Sequence, residues 1–222
     1  MCGRFAFYSP REAVLETFGV DLGFDPPPRY NIAPSQDIVA LRPGAAGERS
    51  GAWLRWGLVP SWAQDPAIGN RMINARAETV RSKPAFRAAF RRRRCVILAD
   101  GFYEWQARNG AKQPWYISAA DGRPLAMAGL WERWEGGEQR LESCTIITTE
   151  ANRTLADLHG RMPVVLAPPQ LDAWFGDSDL DRLETLLRPC PDDRLRCWPV
   201  SRRVNDPRHD GPELIRELQP DA

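Results

Sequence analysis

Between residues 95 and 148 the chain breaks into five short β-branched and aromatic runs, at 95–99, 102–107, 114–118, 124–131 and 141–148. Turn dipeptides punctuate the later ones: Asn109-Gly110, Asp121-Gly122 and Gly136-Gly137. Asn-Gly supplies the two left-handed positions of a type I′ turn, whose twist matches that of the strands it joins. Runs this short, joined this tightly, predict antiparallel pairing, either as a meander or as a partly closed barrel.

Helical signals surround that region. Ser9-Pro10-Arg11-Glu12 has the pattern of a capping box with Pro at the first helical position. It predicts a short helix with Val14, Leu15 and Phe18 inward, ending at Gly19. Pro26-Pro27-Pro28 excludes regular structure, and irregular chain is read through Tyr30-Asn31-Ile32-Ala33-Pro34 to a strand at 37–41. A turn over 43–51 then leads to a strand at 52–56 and a proline-punctuated loop at 56–62. Pro84 opens a helix with an apolar stripe of Phe86, Ala89 and Phe90; the arginines at 91–94 end it and complement its dipole. Helices over 151–159, from Pro168-Pro169 through Trp174 and over 179–188 alternate with strands at 162–166 and 196–201. There is no internal repeat, and no linker long enough to divide 222 residues. The pattern predicts one α+β domain over 1–222, with a tail from about residue 201. Its antiparallel or mixed sheets form a partly closed, barrel-like core flanked by short helices.

Composition narrows the chemistry. A net charge of +1 gives no global polyanion signal, and no run approaches the roughly 18 apolar residues of a membrane span. The N-terminus has no apolar signal-peptide region. Five widely spaced cysteines without a C-x-x-C argue against a disulfide framework and a zinc site, and fit a reducing cytosol. The expectation is a cytoplasmic, membrane-free monomer with no metal and no cofactor. Residues 71–94, however, hold eight Arg and Lys83 against Glu78 alone, a local balance of 9 − 1 = +8. With Trp56, Trp62, Phe86 and Phe90 interleaved, this stretch is either a solvated face or a track for a single strand of nucleic acid, whose bases stack on aromatic rings.

The N-terminus is Met1-Cys2-Gly3-Arg4. If Met1 is removed, Cys2 carries an α-amine and a thiol on adjacent carbons. Such a 1,2-aminothiol condenses with an aldehyde to an imine and closes through sulfur to a thiazolidine; alternatively its thiol attacks a carbonyl with the amine as base. Ordinary pKa values of about 7.8 for the amine and about 8.5 for the thiol leave both groups usable at neutral pH. Position alone is equally compatible with a cysteine that merely follows the start codon. Three further residues have a structural and a chemical reading each. His159 ends a helix and is either a packed histidine or a proton donor to a sugar oxygen. His209, in a turn-rich tail, is read as solvated. Glu104 lies either on a solvent face or in a partly dry pocket that raises its pKa and makes it an acid/base. Asn74 is either a satisfied turn amide or an orienting partner for Cys2.

Six motifs decide between these readings. Met1-Cys-Gly-Arg-Phe5, Tyr30-Asn-Ile-Ala-Pro34, Arg55-Trp-Gly-Leu-Val-Pro-Ser-Trp62, Asn74-Ala-Arg-Ala-Glu78, Ala99-Asp-Gly-Phe-Tyr-Glu-Trp105 and His159-Gly-Arg-Met-Pro163 resemble, in this order, the SOS-response-associated peptidase (SRAP) family. The similarity spans residue 1 to about 199, with a family-like tail at Val204-Asn205 and Glu213-Leu214-Ile215. It implies a sensor of abasic sites in single-stranded DNA that forms a thiazolidine crosslink through Cys2, with abasic-lyase activity and removal of its own Met1 as accompanying reactions. By the same resemblance Asn74 positions the Cys2 amine and the sugar, Glu104 is the acid/base for ring opening, and His159 sits near the sugar hydroxyl. Arg4, Arg76 and Arg161 hold phosphates, and Trp62 lies near the DNA path. The partner implied is abasic single-stranded DNA, with nucleoid association when bound to damage. The rival is a class II glutamine amidotransferase, whose mature chain also begins Cys-Gly. It would need an oxyanion element, for which only Asn109-Gly110 offers itself, at a predicted hairpin turn.

Overall fold

The computed structural model of the chain describes residues 2–44, 47–108, 110–176 and 179–219. Met1, Asn109 and two residues of the predicted 43–51 turn lie outside them. The strands are β1 (Phe5–Phe7), β2 (Arg29–Ile32), β3 (Asp37–Pro43), β4 (Arg49–Trp56), β5 (Asn74–Arg76), β6 (Arg94–Ala99), β7 (Gly101–Arg108), β8 (Ala111–Ala119), β9 (Leu125–Gly136), β10 (Gln139–Glu150), β11 (Arg161–Pro163), β12 (Val165–Leu166) and β13 (Leu195–Pro199). Five short helices join them: α1 (Arg11–Phe18), α2 (Arg87–Arg92), α3 (Arg153–Ala156), α4 (Leu171–Gly176) and α5 (Leu180–Thr185).

The architecture is α+β, as the pattern predicts, and its barrel is fully closed. Strands β4, β3, β6, β9 and β10 pair antiparallel in that circuit, and a short parallel contact of β10 with β4 closes it. A second, all-antiparallel sheet runs β13-β8-β7-β1-β2. The chain crosses from barrel to sheet at Asp100, between β6 and β7, where its N–H donates to the Ala6 carbonyl at 2.8 Å. Every residue of β6 is buried, consistent with a strand enclosed on both faces.

The strand that organises the site is β10, which changes neighbours along its length. One edge pairs first with β9 and then with β11; the other pairs with β4 and then, from Ile146, with β5. Asn74, Arg76 and Arg161 are thereby hung from its last five residues, opposite Ile146, Thr148 and Glu150. A close approach behind this region demands glycine. Gly57 has φ +129°, and a Cβ on it would lie 2.6 Å from the Gly69 carbonyl oxygen.

Several local expectations are corrected. Ser9 does not cap α1: its N–H and hydroxyl both bond to the Asp100 carboxylate, and Pro10 takes the N-cap position without a side-chain bond. The helix ends at a left-handed Gly19 as expected, but Leu15 is 48% exposed. Residues 29–32 are strand rather than irregular chain, because β1 recruits them as β2. α2 begins three residues after Pro84, since turns bonded to the Thr79 and Lys83 carbonyls precede it; its apolar stripe is buried as predicted. The β7–β8 hairpin forms, with Gly110 at φ +76°. All five cysteines are free, and among the described residues no helix is long and apolar enough to cross a membrane.

Candidate active site

Cys2 is fully buried and runs alongside β7, because the Tyr103 N–H donates to the Arg4 carbonyl at 2.9 Å and extends the β1–β7 ladder towards the N-terminus. From the barrel side, the Asn74 amide donates through Nδ2 to the Cys2 carbonyl at 2.8 Å. Asn74 Oδ1 is buried and has no partner among the described residues.

Glu104 is 4% exposed, so the strand turns its side chain inward rather than to solvent. Burial pushes the carboxyl above its usual range, and the charge of His159 works in the opposite direction. Glu104, Trp105, Lys112, His159 and Asn205 line one cleft of about 360 Å³. His159 follows α3, its N–H donating to the Leu155 carbonyl at 3.0 Å. Its Nδ1 accepts the Arg161 N–H at 2.9 Å, which in a neutral ring leaves the proton on Nε2. The Cys2 thiol is pushed far above its ordinary value by burial, and the Glu104 charge adds to this. The resting sulfur is therefore a thiol, not a thiolate. Among the described residues no cluster of His, Cys, Asp and Glu could hold a metal ion.

The cationic residues differ in their engagement. Arg76 lies two residues after Asn74 on β5, hence on the same face of that strand, and is exposed. Arg161 is held by Glu78 through two bonds of 2.6 and 3.0 Å and by the Thr148 carbonyl at 2.6 Å. Arg4 is turned inward: Nη1 donates to Asn31 Oδ1 at 2.8 Å and to the Val204 carbonyl at 2.7 Å. Within the basic 71–94 stretch, Arg81 pairs with Asp181 and Glu184, Arg93 with Glu132, and Arg94 bonds to main-chain carbonyls. Arg71, Lys83, Arg87, Arg91 and Arg92 remain exposed. Of the four interleaved aromatics, Trp56, Phe86 and Phe90 are core residues, and only Trp62 is exposed, at 60%. Trp62 lines a separate open depression with Ile68 and Arg71.

Sequence reasoning missed two parts of the cleft. Asn31 donates to the carbonyls of Val204, Asp206 and His209 while accepting from Arg4; His209 itself is half-buried, its Nδ1 2.9 Å from the Arg203 carbonyl. This latch sets Asn205 against Trp105, whose indole N–H donates to its Oδ1 at 2.8 Å. A polar residue between Tyr30 and Ile32 was the available signal. Nothing local singled out Lys112.

The chain matches the family model described as SOS response associated peptidase (SRAP) over residues 1–207. It is 43% identical to the abasic site processing protein YoqW of Bacillus subtilis, over 97% of this chain and 99% of that one. It is 34% identical to the abasic site processing protein YedK of Escherichia coli, over 98% and 100%. A crystal structure of a Bacteroides thetaiotaomicron protein superposes with a TM-score of 0.85 at 22% identity, covering 98% of this chain and 100% of the other, and so shares its fold.

Proposed function

The chain belongs to the SOS response associated peptidase (SRAP) family, and from that premise we propose that it processes abasic sites in single-stranded DNA, forming a covalent bond through Cys2. The observation that carries this reading is the 2.8 Å hydrogen bond from Asn74 to the Cys2 carbonyl, with the Glu104 and His159 side chains lining one cleft. Once Met1 is gone, the Cys2 amine is the new terminus, and the unpartnered Asn74 Oδ1 is an acceptor suited to orient it.

An abasic sugar is an aldehyde masked as a hemiacetal. Glu104, whose carboxyl burial pushes above its usual range, donates in its acid form to the ring oxygen as the hemiacetal C–O bond breaks and the anomeric hydroxyl gives up its proton. The Cys2 amine adds to the exposed carbonyl carbon, and loss of one water leaves an imine. The thiol then adds to the imine carbon and its proton passes to nitrogen, closing the five-membered ring. A sulfur held as thiol favours this order, because nitrogen reacts first and sulfur closes onto an activated carbon. His159, with its proton on Nε2, donates to the sugar hydroxyl. The imine is also the branch point for strand cleavage, so ring closure suppresses lyase chemistry. The peptidase activity of the family description corresponds to removal of Met1. Arg76 and Arg161 supply sequence-independent phosphate contacts, and Trp62 a stacking surface. Arg4, whose guanidinium is tied to Asn31 and Val204, contributes through placement of Cys2 and of the 204–210 segment.

The test is adduct formation with an abasic single strand. Cys2→Ala should give no heat- and SDS-resistant product, yet borohydride should still trap its imine. A normal yield of resistant product from Cys2→Ala would require another nucleophile. Release of ammonia from glutamine by the unmodified protein would instead support the amidotransferase rival.

A further inference from the structure

An open groove of about 720 Å³ lies on the outer face of β3 and β4, lined by Trp53, Arg55, Arg29, Ser35 and Asp37 among others. It shares no lining residue with the Glu104 cleft or with the Trp62 depression. Alternation along β4 sends Leu54 and Trp56 into the core and leaves Gly51, Trp53 and Arg55 on the outer face. Trp53 is 42% exposed, a large apolar area that the fold does not cover.

This tryptophan is braced as well as exposed. Its ring stacks on Phe24, with centroids 5.3 Å apart and planes 28° from parallel. Gly51 makes that support possible, because a Cβ there would lie 2.6 Å from the Leu22 carbonyl oxygen and 3.0 Å from the Phe24 ring. One face of the indole is thus fixed against Phe24, and the residue lines the groove. Next to it, the Arg55 guanidinium forms no hydrogen bond or ion pair among the described residues. Arg29, by contrast, is held by Gln36 and the Asp37 carbonyl. Arg29 also lies 3.8 Å from Asp210, which leaves Arg55 as the cation of the groove without an ion pair among the described residues.

The groove also neighbours the site along the backbone, with Arg55 and Asn74 on opposite faces of the strands that carry them. Trp56, one residue beyond Arg55, donates its indole N–H to the carbonyl of Ile73, the neighbour of Asn74. Arg55 and Asn74 follow one another along the same edge of β10, opposite Ser143 and Ile146. Three residues of strand separate those positions, about 10 Å.

We propose that the Trp53–Arg55 groove is a subsite for undamaged nucleotides flanking the lesion on the same strand, with a base stacked on Trp53 and a phosphate on Arg55. It rests on the reading of the chain as an abasic-site protein, but it is a separate claim about affinity and footprint. A braced aromatic beside an unpaired guanidinium suits single-stranded DNA of any sequence, since every base has a π-face and every linkage a charge. The abasic sugar offers no base of its own to stack, so the binding energy comes from its neighbours.

The experiment compares Kd for a short abasic oligonucleotide with that for the same oligonucleotide extended by undamaged single strand, on the 5′ and 3′ sides separately. One extension should tighten binding of the unmodified protein by about fivefold or more, the lower end of a base–aromatic stack. In Trp53→Ala the ratio of long to short should fall close to one, Trp53→Phe should retain most of it, and Arg55→Gln should flatten its salt dependence. A ratio in Trp53→Ala equal to that of the unmodified protein overturns the proposal, even where both affinities fall together. So does a gain that appears only when the extension is duplex. Should the unmodified protein show the length effect yet form no resistant adduct with any abasic strand, it is the abasic-site reading that fails, not the subsite.

Discussion

The Asn74 amide bridges barrel and sheet, donating from β5 to the carbonyl of Cys2 at 2.8 Å while its own oxygen is left without a partner among the described residues. Asn74→Asp keeps the shape but replaces the donor by a carboxylate oxygen facing a carbonyl. It should slow adduct formation more than Asn74→Ala. Each should cost at least about tenfold, since misplacement of a reacting group by about 1 Å costs up to ~10²-fold. Single-turnover rates with an abasic strand measure this, and equal rates for all three proteins would remove Asn74 from the positioning role.

Burial pushes the Glu104 carboxyl above its usual range, which ties rate and stability to pH with the same sign. The acid form is lost as pH rises through its raised folded pKa, so the adduct rate should fall along that limb, and Glu104→Gln should abolish the limb while affinity stays within about twofold. Folding obeys the corresponding linkage. A carboxyl raised in the folded state binds its proton more tightly there, so its contribution falls as pH climbs from the ordinary carboxylate range through the folded value. Glu104→Gln should therefore raise Tm at neutral pH, with a gain that vanishes in acid. A lower Tm at pH 7 would assign Glu104 a stabilising ion pair instead.

Glu78 holds the Arg161 guanidinium through two bonds. If Arg161 serves a phosphate, Glu78→Gln should tighten single-strand binding and steepen its salt dependence, whereas Arg76→Ala should weaken binding and reduce the salt slope by about one. Binding titrations from low to high salt decide it; an unchanged slope in Arg76→Ala would place the phosphates elsewhere.

Asn31 fastens the 204–210 segment to the sheet through three carbonyls and anchors Arg4. Asn31→Ala leaves buried groups unpaired, so a loss of about 2–3 kcal/mol is expected, at the upper end for one truncated buried partner. The Trp105–Asn205 wall of the cleft should loosen with it. Urea unfolding at constant m measures the first effect, and a loss under ~1 kcal/mol would mean the segment is held by its other contacts, such as those of Val204 with Arg4 and of Asn205 with Trp105.

The strands of the 95–148 region were readable because alternation and turn dipeptides are local signals, and β6 to β10 lie close to where the runs placed them. Closure of the barrel was not readable. It depends on a short parallel register between Ser143-Cys144 and Arg55-Trp56, residues that no local pattern links. The same division holds at the site. The Cys2 aminothiol follows from the order of the residues, but the inward turn of Arg4 and the burial of Trp56 are decided by partners elsewhere along the chain. Ser9 shows the mechanism plainly: a favourable local cap was given up for a carboxylate 91 residues away.

The central claim is that nitrogen and sulfur of one terminal residue take the damaged sugar together. Intact mass after incubation with an abasic oligonucleotide tests it most directly. The predicted species is the chain without Met1 plus one oligonucleotide minus one water, stable to heat and absent with an undamaged strand. A resistant adduct that still carries Met1 would contradict it, because a cysteine with an acylated nitrogen cannot close that ring.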